Sequence, residues 1–507
     1  MVSEKEISEL RKAIGDLNVF TDKPTRMCYT VTHGPECLLH EDYLEIFLPD
    51  AVVTPTSTED VQKIVKFADK NGIPLVPSGG RSGTYGAEGM RGGIVIETKK
   101  MNKILELNEE DYRITGEAGV NMMELISYLI KRGYMPTDYP GSEEICTLGS
   151  RPAVNGYGYW ENRWGPAGNN IYKIEVVLPD GSVIDVGRGS NKPTKSSTGW
   201  DLMNLFIGSR GTLGIITKVT ERFTDYPPAE HYGEAAFGTF KEGLEAYLEL
   251  KRSKYSNNLW RVSCSVDEES YSEQTIGKPW PKEIAMVVHY SIYGLQYEVD
   301  GMKNIAEDII KKHNGFCAPE VTEITNWWDA HSREWKGLYK KVNVSLGIAT
   351  DVFSKHINAD GYSAKPIFLD PNIPDSRLIE WHAKFRKHCY DMENKEIYPN
   401  LANCTIARDI GRVLPGVLGF NKTWATIHVY RKNMNKKFRG EFLDWYKKYV
   451  ELIFECDGAI ATTHAWIPRD LEVEIMERNM GKNAYKLMKK IKKSIDPKNI
   501  MNPKIIF

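Results

Sequence analysis

No run of eighteen apolar residues occurs in this 507-residue chain, so no hydrophobic membrane-spanning helix is expected. A basic excess is equally missing. Sixty-six Lys and Arg stand against 68 Asp and Glu, for a net charge of −2, which argues against a nucleic-acid partner. The eight cysteines (Cys28, Cys37, Cys146, Cys264, Cys317, Cys389, Cys404 and Cys456) form no CxxC pair. Zinc-finger and iron–sulfur spacings are thereby absent, and reduced thiols in a cytoplasm are expected. The opening MVSEKEISELRKAIGDL has the pattern of an amphipathic helix of mixed charge and lacks the apolar core of a secretory signal, so the expected location is cytoplasmic. There is no GxxxxGKS or GxxxxGKT loop, and no GxGxxG follows a strand and opens a helix. A nucleoside-triphosphate or Rossmann site is a poor reading.

What the chain does have is glycine in three dense turns, each joined to a strand. The first is Pro77 to Gly93, PSGGRSGTYGAEGMRGG, in which seven of seventeen residues are glycine. A β-like run (Ile73, Leu75, Val76) precedes it, and Ile94-Val95-Ile96 follows. Glycines this dense bring bare N–H groups close to a ligand, and Arg81 adds a positive charge, so the stretch suits an anion cradle, most simply for a pyrophosphate. A mobile surface loop has the same composition. The second stretch, 141–170, is rich in Gly, Asn and aromatics; a loop this long inside a domain usually serves function. The third runs from Gly208 to Gly214 into Ile215-Ile216. One pyrophosphate with two flat ends suits three such loops, and FAD fits that description.

Between the loops, VQKIVKFADKNG opens after Ser57 or Thr58 as N-cap, puts Val61, Ile64, Val65 and Ala68 on one face, and ends at Gly72. IYKIEVVLPDGSVIDVG forms a hairpin turning at Pro179-Asp180-Gly181. Short strands alternating with helices give an α+β class. The length demands more than one core, and the pattern divides the chain into an N-terminal helix and extension (1–40), a domain at 41–225, a second α+β domain at 226–455 with longer helices, and a closing segment at 456–507. The lysines near the end have the look of a solvated helix face.

The string VVTPTSTEDVQKIVKFADKNGIPLVPSGGRSGTYGAEGMRGGIVIETKKMNKILELN resembles the FAD-binding domain of the vanillyl-alcohol oxidase/4-cresol dehydrogenase superfamily. TLGSRPAVNGYGY with NRWGPAGNNIYKIEVVLPDGSVI is similar to that family's second flavin loop and hairpin, including its glycolate and D-lactate dehydrogenase branch. IGSRGTLGIIT matches a third loop usually written with Glu where Arg210 stands, and IKKSIDPKNIMNPKIIF resembles the closing segment. The resemblance implies a PCMH-type FAD-binding domain of two α+β subdomains plus an α+β cap domain over the flavin. It implies FAD contacts from Pro77, Ser78, Gly79, Gly80, Arg81, Ser82, Gly83, Tyr85 and Gly86 in the first loop. The second loop would supply Thr147, Leu148, Gly149, Ala153, Asn155, Gly156, Gly158 and Tyr159. The third would supply Gly211, Thr212, Gly214, Ile215 and Ile216, with Asn502 from the tail.

Against the family pattern, Arg81 replaces a histidine that tethers the flavin in some relatives, so no covalent link is expected there, and Cys146 reads as a buried free thiol; FAD is expected without a covalent bond, a cap histidine staying open as an anchor. His428 is followed at the metal-site spacing by Asn435, and a Glu-His step reads Thr463-His464, so no metal is expected. Ala461-Thr462 replaces a Tyr-Arg phenolate clamp, and a substrate anion would need Arg163, Arg431 or Arg261. The candidate catalytic residues are His464, His428, Tyr430 and Arg163. Thr426, His428 and Tyr430 alternate on one side of WATIHVYRK, while Trp327, Trp328 and His331 read as cap core or pocket lining. The expected activity is hydride removal from a hydroxyl-bearing or benzylic organic substrate, of aromatic-alcohol type, to flavin N5; the alternative is a D-2-hydroxy acid dehydrogenase that passes electrons to a partner protein. A small organic substrate, an unassigned electron acceptor and an open question of homo-oligomerisation complete the expectation.

Overall fold

The computed structural model describes residues 2–30, 47–83, 92–252, 256–266, 283–316, 364–392, 410–414, 420–430, 436–460, 467–503 and 505–506, with only the backbone path described in 364–368, 410–414 and 420–430. Tyr85, Gly86, Trp327, Trp328, His331, Arg431, Asn435 and His464 lie outside the described residues. The chain forms two compact units. One combines Met1–Gly158, Pro166–Tyr226 and Ile467–Phe507; the other combines Tyr159–Gly165 with Pro227–Trp466.

The first unit holds two sheets. Strands β1 (Val19–Phe20), β2 (Ala51–Val53), β3 (Leu75–Ser78) and β4 (Ile94–Glu97) stand in the order β1-β2-β4-β3, with β2 and β3 both parallel to β4. β2 and β3 run in the same direction on either side of β4, and the helix Thr58–Asn71 makes the crossover between them. Its N-cap is Ser57, whose hydroxyl accepts from Asp60 N at 3.2 Å, and Gly72 closes it in the left-handed region at φ 64°. Val61, Ile64, Val65 and Ala68 are fully buried on one face, worth roughly 1.5–3 kcal/mol for each larger side chain.

The second sheet is antiparallel: β5 (Ile104–Asn108), β6 (Arg113–Glu117), β7 (Tyr134–Pro136), β8 (Ile171–Val177), β9 (Val183–Gly187) and β10 (Ile215–Asp225). Its order is β5-β6-β10-β8-β9, with β7 also on β10. The hairpin β8–β9 turns through Gly181 at φ 79°, as the Pro-Asp-Gly sequence requires. The last stretch of chain rejoins the first sheet. Leu75 bridges Met501 in parallel, Leu75 N donates to Ile500 O at 2.7 Å, and Asn502 N donates to Leu75 O at 2.8 Å.

The second unit is built on β11 (Ala229–Phe237), β12 (Leu259–Val266), β13 (Met286–Gly294), β14 (Ala364–Phe368), β15 (Asn372–Pro374), β16 (Ile410–Leu414) and β17 (Phe420–Tyr430). The order is β11-β13-β12-β16-β17-β14, with β15 on β17. The helices Phe240–Arg252 and Gln296–Lys312 pack on β11, β12 and β13. Every described residue of β13 from Met286 to Tyr293 is buried, as expected of a strand covered on both sides. His428 and Tyr430 sit on β17 opposite Pro366 and Ala364 of β14.

Candidate functional site

The three glycine loops converge on one cleft inside the first unit. It has about 640 Å³ of empty space, counting the part open to solvent. Pro77, Ser78 and Gly79 come from the first loop, and Gly149, Ser150, Ala153 and Val154 from the second. Ser209, Arg210, Gly211, Gly214, Ile215 and Ile216 come from the third, and Asn502 from the closing segment. Thr98 and Ala118 complete the lining.

The glycines let protein loops approach one another as much as they let a ligand approach. A Cβ on Gly80 would stand 1.7 Å from the carbonyl oxygen of Ile145. On Gly79 it would meet Thr147 Oγ1 at 2.5 Å, and on Gly149 it would meet Ala118 Cβ at 2.5 Å. Gly211, at φ 73°, lies against the Pro77 ring. The first loop is thus pressed on the second and on the third. Gly156 and Gly158 serve the same end against Arg151 and the Tyr139 carbonyl.

Two hydroxyls carry the test for a phosphate-bearing group. Ser78 Oγ and Thr147 Oγ1 are buried and have no hydrogen-bond partner among the described residues. Ser78 lines the cleft, and Thr147 touches the Gly79 position beside it. Buried hydroxyls are normally satisfied, and two unsatisfied donors beside a glycine cradle suit the oxygens of a pyrophosphate. The residues present fit FAD.

Other expected contacts have different surroundings. The Arg81 backbone is left-handed, at φ 57°, and its guanidinium turns away to the Cys28 carbonyl and the Tyr29 ring, 4.4 Å from the centroid. Burial and a hydrogen bond to Glu97 raise the Tyr29 pKa, against the pull of Arg81. Leu148 is fully buried in the packing behind the loop. Asn155, at φ 49°, accepts from Gly168 N through its Oδ1. Thr212 donates its hydroxyl to Ser209 O, and Asn502 donates Nδ2 to Arg210 O at 2.7 Å. Cys146 is a free, buried thiol whose pKa burial pushes up to about 12, which leaves it unreactive.

Beneath the second loop lies a buried charged group. Arg151 clamps Asp138 with two bonds of 2.7 and 2.6 Å and gives a third to Tyr157 O. Burial pushes Glu221 up to about 8, with Asp138 adding to the shift and Arg151 opposing it. Glu143 is pushed up to about 8 by burial and by Glu144.

In the second unit, Tyr159 is covered by the buried guanidinium of Arg261, 5.2 Å from its ring centroid. Trp160, Trp164, Trp260 and Tyr293 pack edge to face behind them. Arg163 lies over the Trp164 ring and donates to Asn257 Oδ1 at 3.3 Å. Arg210, Thr98 and Ala118 were not legible as lining residues. Arg210 alone carried a signal, as a charged residue inside a glycine loop.

Residues 49–187 match the model of the FAD binding domain, and residues 361–505 match the C-terminal domain of FAD linked oxidases. The mitochondrial cytochrome-type D-lactate dehydrogenase of Arabidopsis thaliana is 27% identical over 99% of this chain and 80% of its own length. The glycolate oxidase subunit GlcD of Bacillus subtilis is 25% identical over 91% of this chain and 89% of its own. Among solved structures, substrate-bound p-cresol methylhydroxylase superposes with a TM-score of 0.76, at 20% identity, over 99% of this chain and 97% of that one.

Proposed function

Because the chain is an FAD-linked oxidoreductase with a p-cresol methylhydroxylase-type flavin fold, we propose that it is a dehydrogenase of a D-2-hydroxy acid. The observation that carries this reading is full-length similarity to proteins named as D-lactate dehydrogenase and glycolate oxidase subunit. The aromatic-alcohol reading has weaker support: its structural relative shares 20% of residues, and Ala461-Thr462 stands in place of the Tyr-Arg phenolate clamp of the vanillyl-alcohol branch that the sequence resembles.

Bound FAD supplies the hydride acceptor at its N5. Ser78 Oγ, Thr147 Oγ1 and the backbone of the first loop would hold its pyrophosphate in the cleft. A substrate carboxylate needs a fixed cation, and the candidates for it are Arg261, Arg163 and Arg431. His464 or His428 takes the hydroxyl proton. Electrons then pass to a protein acceptor, as the cytochrome in the Arabidopsis relative's name suggests for that enzyme.

Anaerobic titration of the yellow protein with D-lactate, L-lactate, glycolate, D-2-hydroxyglutarate, vanillyl alcohol and 4-cresol tests this. Bleaching by a D-2-hydroxy acid and not by its L-isomer is expected, and bleaching by the phenols alone overturns the reading. Arg261→Met should raise the KM for the acid about 100-fold without loss of FAD.

A further inference from the structure

We propose that the outer face of the helix Lys482–Ile495 is a docking surface for a bilayer bearing anionic phospholipids. The helix sequence, KNAYKLMKKIKKSI, contains six lysines and no acidic residue. Tyr485 and Lys492 are buried and mark the inward face. Lys482, Lys486, Lys489, Lys490 and Lys493 are all exposed. At about 100° per residue these five fall within one arc of roughly 100°, so they form a single row and not a scatter.

Surface lysines are usually balanced by neighbouring carboxylates, and these are not. Among the described residues no carboxylate stands at ion-pair distance from any of the five, whereas the nearby Lys498 pairs with Asp69 at 3.0 Å. Lys489 rests on the Tyr485 ring at 4.5 Å, which fixes its stem along the helix. The acidic residues of the preceding helix, Arg469–Met480, are Asp470, Glu472, which is buried against Arg210, Glu474 and Glu477. With a net charge of only −2 on the whole chain, the row is a local concentration of positive charge.

Apolar side chains accompany the row. Leu487 is 57% exposed within the helix, and Met480, just before it, is 45% exposed. A folded acidic protein would answer the lysines alone. A bilayer surface answers both features: headgroup phosphates meet the ammonium groups, and the exposed Leu and Met enter the interfacial layer. Long lysine stems suit this, because they keep the charge at headgroup level while covering apolar surface.

The test uses the full-length, FAD-loaded protein in sedimentation with vesicles. Phosphatidylglycerol–phosphatidylcholine vesicles are compared with pure phosphatidylcholine, at low and high salt. Binding to the anionic vesicles only, falling as salt rises, is expected. Each lysine near such a surface contributes about fivefold in partitioning. The K482Q/K486Q/K490Q/K493Q variant should therefore bind roughly several hundredfold more weakly, with FAD content and unfolding temperature unchanged. L487Q should weaken binding at high salt more than at low salt. Equal binding of wild type to both vesicle types, undiminished binding of the quadruple variant, or capture by poly-glutamate with no vesicle binding would each overturn the proposal.

Discussion

The Lys492 ammonium donates to the carbonyl oxygen of Thr212 at 2.7 Å, joining the third glycine loop to a helix 280 positions later. The same nitrogen bonds the Met501 carbonyl and the Asp496 carboxylate, and Asp496 in turn accepts from the backbone N–H of Ile500 and Met501. Lys492→Met leaves Asp496 buried without its counter-charge, which costs about 3–5 kcal/mol. A lower unfolding temperature and loss of FAD on dialysis are expected together. A variant that unfolds and retains flavin like the wild type would contradict this account of the latch.

Gly80 and Gly72 should respond in opposite ways to the same substitution. At Gly80 the added methyl collides with the Ile145 backbone, which has nowhere to go, so Gly80→Ala should separate the first two loops and yield colourless protein. At Gly72 nothing lies within 4 Å, and only the left-handed φ of 64° is strained, so Gly72→Ala should cost about 1 kcal/mol and leave the protein yellow. Flavin content per chain and denaturant midpoints read both.

Ser78→Ala and Thr147→Val remove hydroxyls that have no partner among the described residues. The cofactor-free protein should keep its stability or gain slightly, because a buried unsatisfied group is lost. FAD affinity should fall about tenfold for each, from a lost bond to a charged oxygen. Isothermal titration of apoprotein with FAD separates the two effects. A drop in apoprotein stability instead would mean the hydroxyls serve the fold.

Glu221 should make stability fall as pH rises. Its folded pKa of about 8 lies above the unfolded value near 4.5, so the folded state holds the extra proton between them. Its stabilising effect is complete below about pH 4.5 and is lost as pH climbs through 8, a span on the order of 5 kcal/mol. Glu221→Gln should flatten the fall in unfolding temperature between pH 5 and about 8. An unchanged slope would place the titration elsewhere.

How much of this could be seen in the sequence depended on distance along the chain. The glycine clusters were legible because close backbone approach leaves few other residues possible, and the helix ended by Gly72 was legible from its periodicity and cap. Lys492 looked like one more member of a solvated row. Its only local sign was Asp496 one turn later, and nothing in the spelling indicated Thr212. Arg81 was read as charge for the ligand, yet its guanidinium answers Cys28 and Tyr29, fifty positions earlier. Thr98 and Ala118 line the cleft only because β4 and β6 end beside it, a fact of topology that no motif carries.

The pairing of Leu75 with Met501 has a consequence for biosynthesis. A ribosome releases β3 and the first glycine loop early, but the segment that closes against them follows only after the whole second unit has been translated. The nascent flavin cleft is therefore an unfinished vessel through most of elongation. Cofactor capture belongs to the end of synthesis, and a prematurely stopped chain would fail quality control without ever turning yellow.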